Sequence, residues 1–237
     1  MQLYNTLIND TAAVLEGKKF VRYDYNPNKC WEDNGGGEFI LPSESAFELG
    51  GSGLGSANFV LFSSSSELIE GDGVYLYGDD IGKLSKDAPF ARLVFVRVGL
   101  IDKDDEGIYR TLKDIEFSKY HINPKGYMVR MSPGSYREQV RVSKEAMKKG
   151  INFEALGNAY IKEYKKSPDV LSVKVVFITD PTVEYKKLTA IAKSANDITG
   201  TLTHILEGLP TDCDSCGLKD ICDEVEGMKE LHFGLKK

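Results

Sequence analysis

Two short apolar runs, residues 91–100 (ARLVFVRVGL) and 171–179 (LSVKVVFIT), constrain the fold of this chain more than any other feature. Both are rich in β-branched and aromatic residues and too short for a membrane span, so they read as central, buried strands. In the first, Leu93, Phe95 and Arg97 alternate against Val94, Val96 and Val98. Further strands are predicted over 19–25, 57–62, 73–77, 127–131 and 137–142. Helices are predicted over 2–16 (stopped at Gly17), over 106–121, from a Ser143 cap through Lys149 to Gly150, and from an Asn152 cap over 153–166. Asp180-Pro181 is expected to open a helix to about Ala195, and residues 196–209 a further one, ended by Pro210. Strands and helices alternate without a fixed spacing, which implies an α+β (mixed α/β) fold with a mixed β-sheet and packed helices. The chain divides into an α/β domain over 1–200 and a short helical, cysteine-bearing segment over 201–237.

Length and composition narrow the function classes. A chain of 237 residues can bury a sizeable core, and 41% hydrophobic with 28% charged residues is ordinary for a globular protein. The net charge of −6 argues against nucleic acid and anionic membranes as partners. No stretch approaches the roughly 20 apolar residues of a membrane span, and the N-terminus lacks the basic-then-apolar pattern of a signal peptide. The expected location is the cytoplasm, where clustered cysteines bind metal more often than they pair as disulfides.

Three of the four cysteines, Cys213, Cys216 and Cys222, fall within ten positions as C-x2-C-x5-C, and Cys30 stands far away in sequence. Thiolates so spaced can turn toward one metal ion or one iron–sulfur cluster. A structural zinc site needs four nitrogen or sulfur ligands, and Cys30 or His232 could complete it; a [4Fe–4S] cluster also takes four. His121 and His204 are isolated, and no Ser, His and Asp grouping points to a hydrolase. The acidic run 102–106 lacks calcium-loop spacing.

The glycine-rich loop 50–55 departs from a dinucleotide fingerprint, because Ser56 stands where the third glycine belongs and a strand rather than a helix follows. It reads as a tight turn beside a neighbouring element. The basic set Arg130, Arg137, Arg141, Lys144, Lys148 and Lys149 is open to two readings. It is either an ordinary charged surface or a patch, centred on Arg137, Arg141 and Lys144, for a phosphorylated ligand such as coenzyme A or for an acidic partner.

Several stretches resemble one family. Residues 141–150 (RVSKEAMKKG) with 153–157 (FEALG), 173–181 (VKVVFITDP) and 47–51 (FELGG) are similar, in order, to segments of the acetyl-CoA synthase family, the beta subunit of the CO dehydrogenase/acetyl-CoA synthase complex. The resemblance spans roughly 40–225. It implies the middle domain of that family, which precedes a domain with a nickel–iron–sulfur centre that joins a methyl group, CO and coenzyme A. There a cubane is held by four cysteines beginning with a C-x2-C pair, and a later Cys-Gly-Cys holds nickel.

By position Cys213 and Cys216 match the C-x2-C pair, and Cys222 stands in for the third cysteine. No fourth cysteine follows, no Cys-Gly-Cys is present, and Val140 occupies the place of an expected tryptophan. The resemblance therefore implies a [4Fe–4S] protein without nickel, with Cys30, His232 or an exogenous molecule as fourth ligand. Its role would be redox, Lewis-acid or accessory, in anaerobic one-carbon or coenzyme A metabolism, beside a protein partner or redox donor. Two other readings stay open. One is a non-catalytic docking module with a structural zinc site, and the other an acetyl-CoA synthase-type acyltransferase whose nickel ligands come from another chain.

Overall fold

A computed structural model describes residues 2–99, 105–131 and 136–206. Its strands are β1 (Val21–Asp24), β2 (Ser45–Leu49), β3 (Ser56–Ser63), β4 (Gly73–Tyr77), β5 (Phe90–Val98), β6 (Tyr127–Met131), β7 (Glu138–Ser143) and β8 (Val170–Ile178). Its α-helices are α1 (Gln2–Leu15), α2 (Asp105–Phe117), α3 (Lys144–Lys148), α4 (Phe153–Tyr164) and α5 (Tyr185–Leu206). The larger sheet has the order β1-β4-β8-β5-β3 and the smaller one β2-β7-β6. Within the larger sheet β3 runs parallel to β5 and β4 parallel to β8, while β5 and β8 are antiparallel. The fold is the mixed α+β arrangement implied by the sequence.

The two apolar runs form the neighbouring strands β5 and β8 at the middle of this sheet, with Val94 opposite Val175. Residues of both parities along them are buried, because helices and the small sheet cover the strands. Phe90, Phe153, Phe177 and Tyr160 join β5, β8 and α4, with the Phe153 and Phe177 rings 4.6 Å apart. Burying each such ring stabilises the fold by about 1.5–3 kcal/mol. On the other flank α1 and α5 pack on each other and along β3, where the Tyr4 ring meets Phe62 edge-on at 5.4 Å.

Both predicted caps form. The Ser143 side chain accepts from the Ala146 amide and the Asn152 side chain from the Ala155 amide, at 3.0 and 2.9 Å. Asn152→Ala is expected to destabilise the protein by about 1 kcal/mol, read as a lower midpoint in thermal unfolding with no change of fold in circular dichroism.

Three local expectations differ from the structure. Strand β2 lies inside residues 26–56, which carry two glycine clusters and read from sequence as irregular chain, and it is recruited there by pairing with β7. The helix expected from Pro181 begins only at Tyr185, because the Asp180 carboxylate accepts from both the amide and the hydroxyl of Thr182 and holds a turn. The helices expected over 181–195 and from Asn196 onward are joined: α5 runs unbroken from Tyr185 to Leu206, the last described residue. Inside it Thr189, Thr199 and Thr201 bond the carbonyls four residues back, so polar residues that suggest a break are absorbed by the helix. Among the described residues, no helix is long and apolar enough to cross a membrane.

Candidate functional site

Strand β7 organises the region that carries most of the predicted basic residues. Its alternation buries Glu138, Val140 and Val142 and turns Gln139, Arg141 and Ser143 to the other side. Arg137, just before it, donates to the carbonyls of Gly50, Gly51 and Leu54 at 3.3, 2.9 and 2.9 Å. Arg141 faces Glu48 across the β2–β7 pair, Nε to Oε1 2.5 Å, and also donates to the Ile40 carbonyl at 3.1 Å. Lys144 donates to the Ser43 carbonyl at 2.8 Å. The structure thus brings these three cations to one strand and the helix after it, where they fasten the segment 40–54. Each of the three donates to protein oxygens and helps to hold this segment in place.

The glycine loop is a tight turn wedged between neighbours. Gly50 has φ +63°, and a Cβ there would run into the Glu138 carbonyl and lie 2.9 Å from Ser56 Oγ. A Cβ on Gly55 would enter the Tyr185 ring at the start of α5. Only glycine lets the backbone come so close at these two positions.

Beneath the loop lies a group that sequence reading missed. Arg92 of β5 and Glu138 of β7 are both completely buried, paired through Nε to Oε1 at 2.9 Å and through a second nitrogen to Oε2 at 2.5 Å. The guanidinium carbon sits 4.4 Å from the centre of the Tyr160 ring. Burial works against the charged guanidinium, but the facing carboxylate outweighs it and holds the Arg92 pKa above its ordinary value. Ser56 Oγ donates to the Glu138 carbonyl at 2.7 Å and accepts from its amide at 2.9 Å, so one residue joins β7 to both β3 and β5. The available signal was Arg92 itself, a cation inside an apolar run that requires a buried anion.

Of the predicted metal ligands only Cys30 lies among the described residues. Its thiol donates to the Pro27 carbonyl at 3.4 Å, and burial raises its pKa while Lys162 opposes the rise. The backbone on either side is tied to α4, through Trp31 N–H to the Ala155 carbonyl at 2.9 Å and the Asn158 amide to the Lys29 carbonyl at 3.3 Å. Cys213, Cys216, Cys222 and His232 lie outside the described residues, as does the predicted stop at Pro210. The described chain leads toward them through α5, whose base is fixed by Tyr185 OH to the Ile178 carbonyl and Thr189 Oγ1 to the Ser56 carbonyl, both 3.2 Å. Among the described residues, no group of three or more His, Cys, Asp or Glu is placed to hold a metal ion. His121 is exposed, with Glu163 at 3.9 Å.

A cleft of about 260 Å³ opens between Trp31, Glu38, Lys125, Glu145 and Lys149. Most of that space is open to solvent, and the enclosed part, about 20 Å³, has room for a water molecule and lies far below the roughly 300–1,000 Å³ of most small-molecule sites. Its polar groups are also already paired: the Trp31 indole donates to the Lys125 carbonyl at 2.8 Å, and Glu38 accepts from the Gly126 amide at 2.5 Å.

The segment fastened by β7, the small sheet, α4 and every strand of the large sheet except β1 fall within one recognisable unit. The family model of the CO dehydrogenase/acetyl-CoA synthase complex beta subunit matches residues 34–183, from the loop before β2 through β8. A search of curated proteins gives no match. The matched stretch covers more than half of the chain and contains the FELGG loop, the RVSKEAMKKG strand–helix and the VKVVFITDP strand. The chain therefore belongs to the family of the CO dehydrogenase/acetyl-CoA synthase complex beta subunit.

Proposed function

We propose that this chain is an iron–sulfur member of that family, which holds a [4Fe–4S] cluster through Cys213, Cys216 and Cys222. The observation that carries the reading is the order of parts: a family domain over 34–183, then a helix, then C-x2-C-x5-C. The donor set fits the group, since thiolates are its usual ligands and a C-x2-C pair is a common opening spacing. Bound there, the cluster would supply electron transfer or a Lewis-acidic iron. Cys30 is one candidate for the fourth ligand, and would have to give up its proton to ligate, against the burial that disfavours its thiolate. His232 or an exogenous molecule is the other source. The family is a subunit of a larger complex by name, so we place a protein partner or redox donor beside this chain, in a reducing compartment such as the cytoplasm.

The test is anaerobic purification followed by iron, acid-labile sulfide, nickel and zinc analysis. The expected result is a brown protein with about four irons per chain and no nickel. In the Cys213→Ser, Cys216→Ser double variant, iron should fall to background while the circular dichroism spectrum is kept. A colourless protein with one zinc would sink the reading and favour a docking module. Comparison of Cys30→Ser with His232→Ala identifies the fourth ligand by which of them alters the cluster's electron paramagnetic resonance spectrum.

A further inference from the structure

The two edges of the large sheet differ. At one, β3 is buried almost throughout, with α1 and α5 packed along it. At the other, β1 is hydrogen-bonded to β4 on one side, and among the described residues its backbone bonds nothing else. Three of its four residues are exposed. Phe20 and Val21, at its start, leave apolar side chains 52% and 49% exposed. Arg22 and Asp24 share one face, 3.3 Å apart, with side chains 50% and 88% exposed. On that face the Arg22 guanidinium also lies 5.8 Å from the centre of the Tyr75 ring of β4. Tyr23 and Tyr25, on the opposite face with Val21, are half-buried.

Charged side chains commonly protect an open edge by repelling a second strand. At β1 they are placed to attract one particular strand, a second copy of itself. When two copies of a strand pair antiparallel about a two-fold axis, one residue stands opposite itself and its neighbours stand opposite each other. An axis at Arg22 would set two arginines face to face, and one at Asp24 two aspartates. Like charges directly opposite are destabilising. An axis at Tyr23 avoids both. Arg22 of each copy then meets Asp24 of the other, twice over, on one face. On the other face Tyr23 meets Tyr23, and Val21 meets Tyr25 twice, aromatic and β-branched pairs of the kind that stabilise sheets. The stretch Val21-Arg22-Tyr23-Asp24-Tyr25 is therefore self-complementary in charge and in apolar character.

We propose that β1 is a self-association edge, which pairs with β1 of a second copy, antiparallel about Tyr23, and continues the large sheet across two chains. Pairing closes both open edges, covers Val21 and matches the two exposed charges of each chain across the join. A strand from another protein would have to supply an acid opposite Arg22 and a base opposite Asp24, whereas a second copy has both by symmetry. The overlap is about five residues long, so the dimer belongs with the small, weak and reversible interfaces. Strand β1 lies ahead of the stretch 34–183 that matches the family model, so the pairing is a property of this chain's own N-terminal part. It is independent of any metal on the cysteines.

The experiment is sedimentation equilibrium of the full chain, kept reduced and free of oxygen so that no disulfide joins the copies. From about 5 to 500 µM the mass should rise toward twice that of the monomer, as for a weak interface. Arg22→Asp alone sets acid opposite acid, and Asp24→Arg alone sets arginine opposite arginine. Each should weaken association roughly tenfold or more. The double variant, Arg22→Asp with Asp24→Arg, restores opposite charges in swapped order and should associate nearly as the parent chain does. Both side chains are exposed, so all four proteins should give one circular dichroism spectrum. A parent chain that stays monomeric throughout overturns the proposal and leaves the edge to a strand from another protein. Undiminished association in either single variant overturns it too, as does a double variant no better than the singles.

Discussion

Replacing Glu138 by leucine is expected to destabilise the protein by about 3–5 kcal/mol, the loss typical of breaking a buried ion pair from one side. The change leaves the Arg92 guanidinium completely buried beside the Tyr160 ring with its carboxylate gone. The same position ties the small sheet to the large one through Ser56, but by backbone atoms, which the substitution leaves in place. The loss is therefore electrostatic, and a second change should restore most of it: Arg92→Met added to Glu138→Leu removes the orphaned charge. Urea unfolding of the two single variants and the double variant measures this, with unchanged slopes showing that the unfolding transition remains the same. Should Glu138→Leu alone shift stability by less than about 1 kcal/mol, within the range of surface ion pairs, the pair is not what holds Arg92.

Gly50→Ala should have the next largest effect, and Gly53→Ala supplies its control. Both glycines have positive φ, +63° and +79°. A Cβ at Gly53 meets nothing within 4 Å, whereas one at Gly50 runs into the Glu138 carbonyl and crowds Ser56. Gly53→Ala should therefore cost only the left-handed backbone, about 1–2 kcal/mol. Gly50→Ala adds overpacking of about 1–3 kcal/mol against backbone that cannot retreat without disturbing β7. Amide hydrogen exchange should show lost protection in β7 for Gly50→Ala alone. Equal losses for both variants would mean that crowding at Gly50 contributes nothing.

These two positions also show where the sequence is legible and where it is not. The strands β5 and β8, the caps at Ser143 and Asn152 and the motifs of the FELGG and RVSKEAMKKG stretches could be read directly, because each depends on residues near one another along the chain. What Arg92 meets could not. Its partner is 46 residues away in sequence, and only the stacking of one sheet on another brings Glu138 to it. The same holds for Arg137, Arg141 and Lys144. Their spacing shows that they cluster, but whether they face solvent depends on the segment 40–54, whose carbonyls and Glu48 occupy them. The unbroken α5 was hidden for a local reason, since threonines that weaken a helix in isolation turn their hydroxyls back onto its own carbonyls. The cysteine triplet is the opposite case: it is plain in the sequence and lies outside the described residues.

The strand order bears on how the chain reaches this state. Strand β8 is the last of the described strands in sequence, yet it lies between β4 and β5. Until residue 178 has left the ribosome, β1 can pair only with β4 and β3 only with β5, as two small pieces with apolar edges open to other chains. Closing the sheet then brings together residues as distant as Ala91 and Ile178, a non-local contact of the sort that slows folding. A long wait for one late strand makes the growing chain's exposure to aggregation, rather than its final stability, the step at which synthesis of this protein is most easily lost.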